Sequence, residues 1–113
     1  MTEFLLLFRR EAAANSIQPS PEQMQAMTKQ WQDWIGGIAA QNKLVSTGKR
    51  MDFEGKVVRP NKTITNGPYV EVKEVLNGML FIKAVDMDEA LEIAKGCPIL
   101  QVGGNVEVRP LIG

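Results

Sequence analysis

Residues Phe4-Leu5-Leu6-Leu7-Phe8 are an apolar run of strand length, bounded by Arg9-Arg10. Successive side chains of a strand point to opposite faces of its sheet, and here both faces are apolar. Such a strand has to be covered twice. Helices of the same chain can supply one cover, and the second points to a partner subunit.

The next strong signal is a helix. Ser20 precedes Pro21, and Gln23 stands three residues after Ser20, which is the pattern of an N-cap, a proline in the first turn and a capping box. Met24, Met27, Trp31, Trp34, Ile35 and Ile38 then recur at spacings of three and four, an amphipathic stripe. Gln25, Lys29, Gln32 and Asp33 occupy the opposite side, and Asn42-Lys43 closes the helix. Gly36-Gly37 interrupts it at a cost of about 0.8–1 kcal/mol per glycine relative to alanine. The pair is expected to let the helix backbone lie close to a neighbouring element. Residues 11–18, small and polar, read as a loop.

Leu44 to Phe53 reads as a second strand. Glu54-Gly55-Lys56 reads as a turn, Val57-Val58 as the start of a return strand that Arg59-Pro60-Asn61 interrupts, and Thr63-Ile64-Thr65 as a short β-rich piece. The excursion from Leu44 to Val72 suits a hairpin at a sheet edge, where Pro60 and Pro68 are tolerated. Gly78 to Val85 is a strong strand, with Leu80, Ile82 and Ala84 on one face and Met79, Phe81, Lys83 and Val85 on the other. Asp86 and Glu89 form a second capping box for a helix from Met87 to Lys95, with Ala90, Leu91, Ile93 and Ala94 inward, ended by Gly96 and Pro98. Asn105 to Pro110 is the last strand. The order β-α-β-(hairpin)-β-α-β predicts an α+β, ferredoxin-like protomer with both helices on one face. The other face is left bare, and a bare apolar face calls for a cover.

The chain of 113 residues suits one domain over residues 1–113, able to bury roughly two-thirds of its unfolded surface. Thirteen basic and thirteen acidic residues give zero net charge, which argues against nucleic acid as the main partner. No apolar run approaches the ~20 residues of a membrane span, and Met1-Thr2-Glu3 lacks the basic region of a signal peptide. The single cysteine, Cys97, forms no internal disulfide, and a cytoplasmic location is the expectation. The chain has no histidine, so the commonest general base and the commonest metal ligand are both missing. No phosphate loop, dinucleotide fingerprint or metal-ligand cluster is present, and no cofactor is expected.

The segment Asn66-Gly67-Pro68-Tyr69, followed by Glu71, Lys73, Glu74 and Gly78, resembles the signature of the DGPF branch of the YCII-related family, Asp-Gly-Pro-Phe followed by Glu-x-Lys-Glu and a glycine before a strand. The resemblance runs from Phe4 to Pro110. It implies ferredoxin-like protomers that pair sheet to sheet into a dimeric α+β barrel. It also implies one of two roles: binding of a small molecule, with lyase- or isomerase-type activity open, or a non-catalytic accessory module associated with alternative sigma factors. Asn66 and Tyr69 stand where the family has Asp and Phe, so position 66 lacks the carboxylate that an acid–base or metal role would use. The His-Asp pair attributed to some relatives has no counterpart: Gln23 stands near the histidine's place and Asp33 near the aspartate's.

Two candidate sites follow. Asn66, Gly67, Pro68 and Tyr69 are either a rigid turn at a strand end or a loop presenting backbone amides and the Tyr69 hydroxyl to a pocket. Glu71, Lys73 and Glu74 are either a solvated charge cluster or contribute one member to a dimer cleft. Period-two counting puts Lys83, Glu107 and Arg109 on the sheet face away from the helices. There they are either salt-bridged within or across a dimer, or the polar floor of a pocket favouring an anion such as a carboxylate, with Arg9 and Arg10 in reach. Cys97 follows a helix C-terminus, where the dipole disfavours a thiolate, and reads as structural. The leading expectation is a homodimer that binds a small anionic molecule between the sheet, the first helix and the 66–74 loop.

Overall fold

A computed structural model describes residues 1–11, 20–48, 50–51, 55–67 and 74–112 of the protein. Its elements are β1 (Thr2–Glu11), α1 (Pro21–Ala40), β2 (Leu44–Ser46), β3 (Gly55–Val58), β4 (Ile64–Gly67), β5 (Glu74–Ala84), α2 (Met87–Ala94), a 3-10 helix (Pro98–Val102) and β6 (Asn105–Pro110). Strands β2, β5, β1 and β6 form one antiparallel sheet in that order, and β3 and β4 form a separate hairpin. The passage from β1 through α1 to β2 skips over β5, and that from β5 through α2 to β6 skips over β1. Two interleaved β-α-β units on one sheet make the α+β, ferredoxin-like arrangement that the order of elements predicts.

The two rows of β1 explain the layering. Phe4, Leu6 and Phe8 are buried in one cluster with Leu80, Ile82 and Ala84 of β5, Ile38 of α1, and Ala90 and Ala94 of α2. Each large side chain in such a cluster contributes about 1.5–3 kcal/mol by leaving water. Leu5 and Leu7 lie on the opposite row, opposite Phe81 and Met79 of β5. Leu5, Leu7, Met79 and Phe81 on this outer face are half-buried, and α1 and α2 contribute to the cluster on the other face.

The helices begin as their sequences require. At α1 the Gln23 N–H donates to Ser20 Oγ at 3.2 Å, and the Ser20 N–H donates back to Gln23 Oε1 at 2.9 Å. At α2 the Glu89 N–H donates to Asp86 Oδ1 at 2.9 Å, while the Glu89 carboxylate accepts from the Val85 N–H, one residue before the cap. The helices are tied together by Trp34, whose Nε1–H donates to the Ile93 carbonyl at 3.0 Å. Phe8, Trp31 and Trp34 pack edge to face in a trio with ring centres 5.1–6.0 Å apart.

Several local expectations change. β1 continues to Glu11, so the loop expected from residue 11 does not begin there; residues 12–18 lie outside the described set. Among the described residues the expected strand from Leu44 to Phe53 keeps Leu44–Ser46 and an isolated bridge from Arg50 to Gly78; Lys49, Asp52 and Phe53 lie outside them. The strand breaks at Gly48, whose φ of 59° is left-handed and where a Cβ would run into the Met79 carbonyl oxygen. Gly55 and Lys56 belong to β3 rather than to a turn; the reversal is at Arg59–Thr63, where the Arg59 N–H donates to the Thr63 carbonyl and Asn61 Oδ1 accepts from the Thr63 N–H. Leu91 is exposed rather than inward. The 3-10 helix at Pro98–Val102 had no counterpart in the sequence reading, and its Ile99 is buried.

Gly36 and Gly37 are not a close-approach site: a Cβ at either would find nothing within 4 Å. Replacing either by alanine is therefore expected to stabilise the chain by about 0.8–1 kcal/mol, the helix-propensity difference alone. Urea unfolding of the two single variants checks this, and a lower midpoint for either would reveal a partner packed on that face. Leu6→Ala, at a fully buried site of the central strand, is expected to cost about 2–5 kcal/mol in the same assay.

Candidate functional site: a cavity between the sheet and the first helix

The stripe of α1 serves two purposes. Trp31 and Ile35 pack against the core, and with Met24 and Met27 they also form one wall of a cavity of about 460 Å³. This is within the range of small-molecule sites, roughly 300–1,000 Å³. The opposite wall is sheet: Phe8 and Arg10 of β1, and Asn77 to Leu80 of β5, with Thr47, Gly48 and Arg50 along the rim. Ile99 and Val102 of the 3-10 helix also line it.

A β-bulge shapes the sheet wall. Phe8 pairs with Gly78 and Arg9 with Leu76, so Asn77 is an extra residue on β5. Its carbonyl accepts from the Met51 N–H at 2.7 Å, which ties the rim segment to the bulge.

Two arginines reach this cavity. Arg10 continues the inward row of Phe4, Leu6 and Phe8 along β1, and its Nε is buried without a hydrogen-bond partner. Arg50 stands exposed on the rim. Thr28, Gln32, Thr47 and Asn77 add neutral polar groups, and no carboxylate is among the described lining residues.

The charged residues singled out in the sequence fall elsewhere. Lys83, Glu107 and Arg109 are on the outer face, where period-two counting puts them, but Lys83 stands apart from the other two. Lys83 pairs in register with Glu3 on β1, whereas Glu107 and Arg109 pair with Leu7 and Leu5 from the other side of that strand. Glu107 is held by Arg9 on one oxygen and by Arg109 at 3.1 Å on the other. Arg109 and Arg9 together hold the Glu107 carboxyl below its ordinary value. Asn66 and Gly67 end β4, paired with Lys56 and Gly55 of the hairpin. Pro68, Tyr69, Glu71 and Lys73 lie outside the described residues. Arg10 and Arg50 are the residues that the sequence reading did not single out as a pair. The signal for Arg10 was present: extending the alternation of Phe4, Leu6 and Phe8 by one step places it inward and Arg9 outward.

Cys97 is buried in the core, and burial pushes its thiol up to about 12. Among the described residues no group of three His, Cys, Asp or Glu side chains is placed to hold a metal ion. No helix among them is long and apolar enough to cross a membrane.

Two predictions follow from these environments. The native chain is expected to leave Cys97 unreacted with an aromatic disulfide reagent near neutral pH, and to react at once when unfolded in urea; fast native labelling would contradict its burial. The Glu89 carboxyl, held by the Val85 N–H and by Lys43, also ionises more readily folded than unfolded. The stability that Glu89 and Glu107 add is thus present above their ordinary value of 4.5 and is lost as pH falls below it through the folded values. Melting temperature is expected to drop over that acid range, and Glu89→Gln to flatten the drop; an unchanged slope would show that the pair with Lys43 does not matter.

A search of the curated proteins gave no match to this chain. The model of the YCII-related domain matches residues 2–112, nearly the whole length. With the interleaved β-α-β units in place and the match spanning all of them, the chain belongs to the YCII-related domain family.

Proposed function

We propose that this YCII-related protein binds a small anionic molecule in the cavity between the sheet and α1, and that it does so as a homodimer paired through its outer sheet faces. The cavity itself carries the first part: a space of about 460 Å³ with two arginines and no carboxylate among its described lining residues. Its chemistry favours binding over proton transfer. The chain has no histidine, and none of the described lining residues is a carboxylate, lysine, tyrosine or cysteine. The DGPF-like segment supports the same assignment at the level of resemblance, with Tyr69, Glu71 and Lys73 as candidate contributors from the 66–74 loop.

The dimer rests on the second row of β1. Leu5, Leu7, Met79 and Phe81 form an apolar strip bordered by Glu3, Lys83 and the Arg9–Glu107–Arg109 group. A stable pair through such a face buries on the order of 1,200 Å² or more in total. Sedimentation at micromolar concentration is expected to give a dimer, and Leu7→Arg a monomer. A wild-type monomer would remove the dimer from this proposal.

A second reading puts the anion on the outer face, at Lys83 and Arg109. Arg109 is two-thirds exposed, which favours it, but Glu107 already neutralises part of the charge. Thermal shift with a panel of small organic acids separates the two. Loss of response in Arg10→Gln supports the cavity, and loss in Arg109→Ala supports the outer face. If no acid stabilises the wild type, small-anion binding is wrong, and the accessory module associated with alternative sigma factors becomes the better account.

A further inference from the structure

Resting on the cavity reading above, we infer that the site selects a singly charged carboxylate with an apolar or aromatic body, and that Arg10 is the residue that holds the carboxylate. The anchor comes from the position of Arg10 in the fold. It is the fourth member of an inward row whose first three are core residues, and it is half-buried where it lines the cavity. Its Nε lies buried with no hydrogen-bond partner, although it lines an open cavity. A buried donor left without an acceptor is unfavourable, and the cavity is the space from which an acceptor can come. The Nε–H and a neighbouring terminal N–H of a guanidinium point the same way in one plane, and their spacing matches the two oxygens of a carboxylate.

The body of the ligand follows from the walls. Phe8, Met27, Trp31, Ile35 and Leu80 are apolar, and methionine side chains adapt to irregular shapes. Thr28 and Gln32, one turn apart on α1, and Asn77 of the bulge offer hydrogen bonds without charge, which suits a neutral polar substituent.

The charge follows from counting cations. Arg10 and Arg50 are the charged residues among the described lining, and Arg50 is exposed on the rim, where water and salt screen it. One half-buried guanidinium balances one negative charge. The second charge of a phosphate monoester would find no buried counterion among the described lining residues, which is unfavourable in an apolar cavity. Carboxylates are therefore favoured over phosphate esters of similar shape.

The test is a titration of the full-length chain followed by tryptophan emission, since Trp31 lines the cavity. The probes are 3-phenylpropanoate, its neutral amide, and phenyl phosphate. The acid is expected to bind at least about tenfold more tightly than the amide, as a charged hydrogen-bonded pair does over a neutral one. Phenyl phosphate is expected to tighten as pH is lowered from about 8 to about 5.5, through its second ionisation near 6, while the acid, ionised throughout, does not change. In Arg10→Gln the acid is expected to fall to the affinity of the amide, with the amide unaffected, which shows that the variant is folded and the cavity intact. Equal binding of acid and amide by the wild type would overturn the charge rule and leave the cavity reading standing. Tightest binding of phenyl phosphate at the higher pH would overturn the monoanion class. Undiminished acid binding in Arg10→Gln, with Arg10→Lys no different, would remove Arg10 as the anchor. If neither acid nor amide alters the emission, this inference and the cavity reading fall together.

Discussion

The structure depends on one strand being the centre of a sheet and having two apolar rows. β1 is hydrogen-bonded on both edges, to β5 along ten residue pairs and to β6 along six. Each row of β1 therefore lies beside side chains from both neighbours, and whatever β1 puts on a face decides the character of that face. Phe4, Leu6 and Phe8 create the core under the helices. Leu5 and Leu7 create an apolar strip that two helices on the other side cannot reach. Past Phe8 the same alternation continues with arginines, and the result is a division of labour between neighbours: Arg9 enters the outer ion-pair group, and Arg10 enters the cavity.

The cavity exists because α1 is used unevenly. Its C-terminal half is fastened: Ile38 is buried, and Trp34 is hydrogen-bonded to α2 and packed on Phe8 and Trp31. Gly96, at the end of α2, is part of that fastening, because a Cβ there would come within 3.1 Å of the Trp34 ring. Among the described residues the first turns of α1 contribute none to the buried core, and Met24 is half exposed. A stripe that reads as uniform in the sequence is thus a packing surface at one end and a binding wall at the other.

Most of the sheet could be read from the chain, because period-two alternation and capping are local signals. The rows of β1, β5 and β6, the two caps and the interleaved order all came from residues close together in sequence. What could not be read depended on long-range pairing. The end of β2 is decided by the approach of Gly48 to Met79, and Gly55 and Lys56 are strand residues because Gly67 and Asn66 pair with them. The emphasis on Lys83, Glu107 and Arg109 came from their shared face, which the register supports. That β1 separates Lys83 from the other two, with Glu107 already paired, is a property of strand order and not of spacing. Arg10 is grouped with Arg9 in the sequence for a simpler reason: the apolar run stops at Phe8, and only a strand continued to Glu11 sends the two arginines to opposite faces.

The extra residue at Asn77 has a consequence for how chains of this kind can change length. Between Gly78 and Ala84 the even-numbered residues of β5 face the helices, yet Leu76 pairs with Arg9 of the outer row. Asn77 is the residue that breaks the alternation, since side-chain direction repeats every two residues. Deleting it would join Leu76 to Gly78 as regular strand neighbours with both facings kept, so the loss of one residue costs only the bulge at that point. A one-residue change between Gly78 and Ala84 would instead turn over the stretch on one side of it, so length there should vary in steps of two. The reversal at Arg59–Thr63 lies in a hairpin outside the four-stranded sheet and is under no such rule, so one-residue insertions and deletions should collect there.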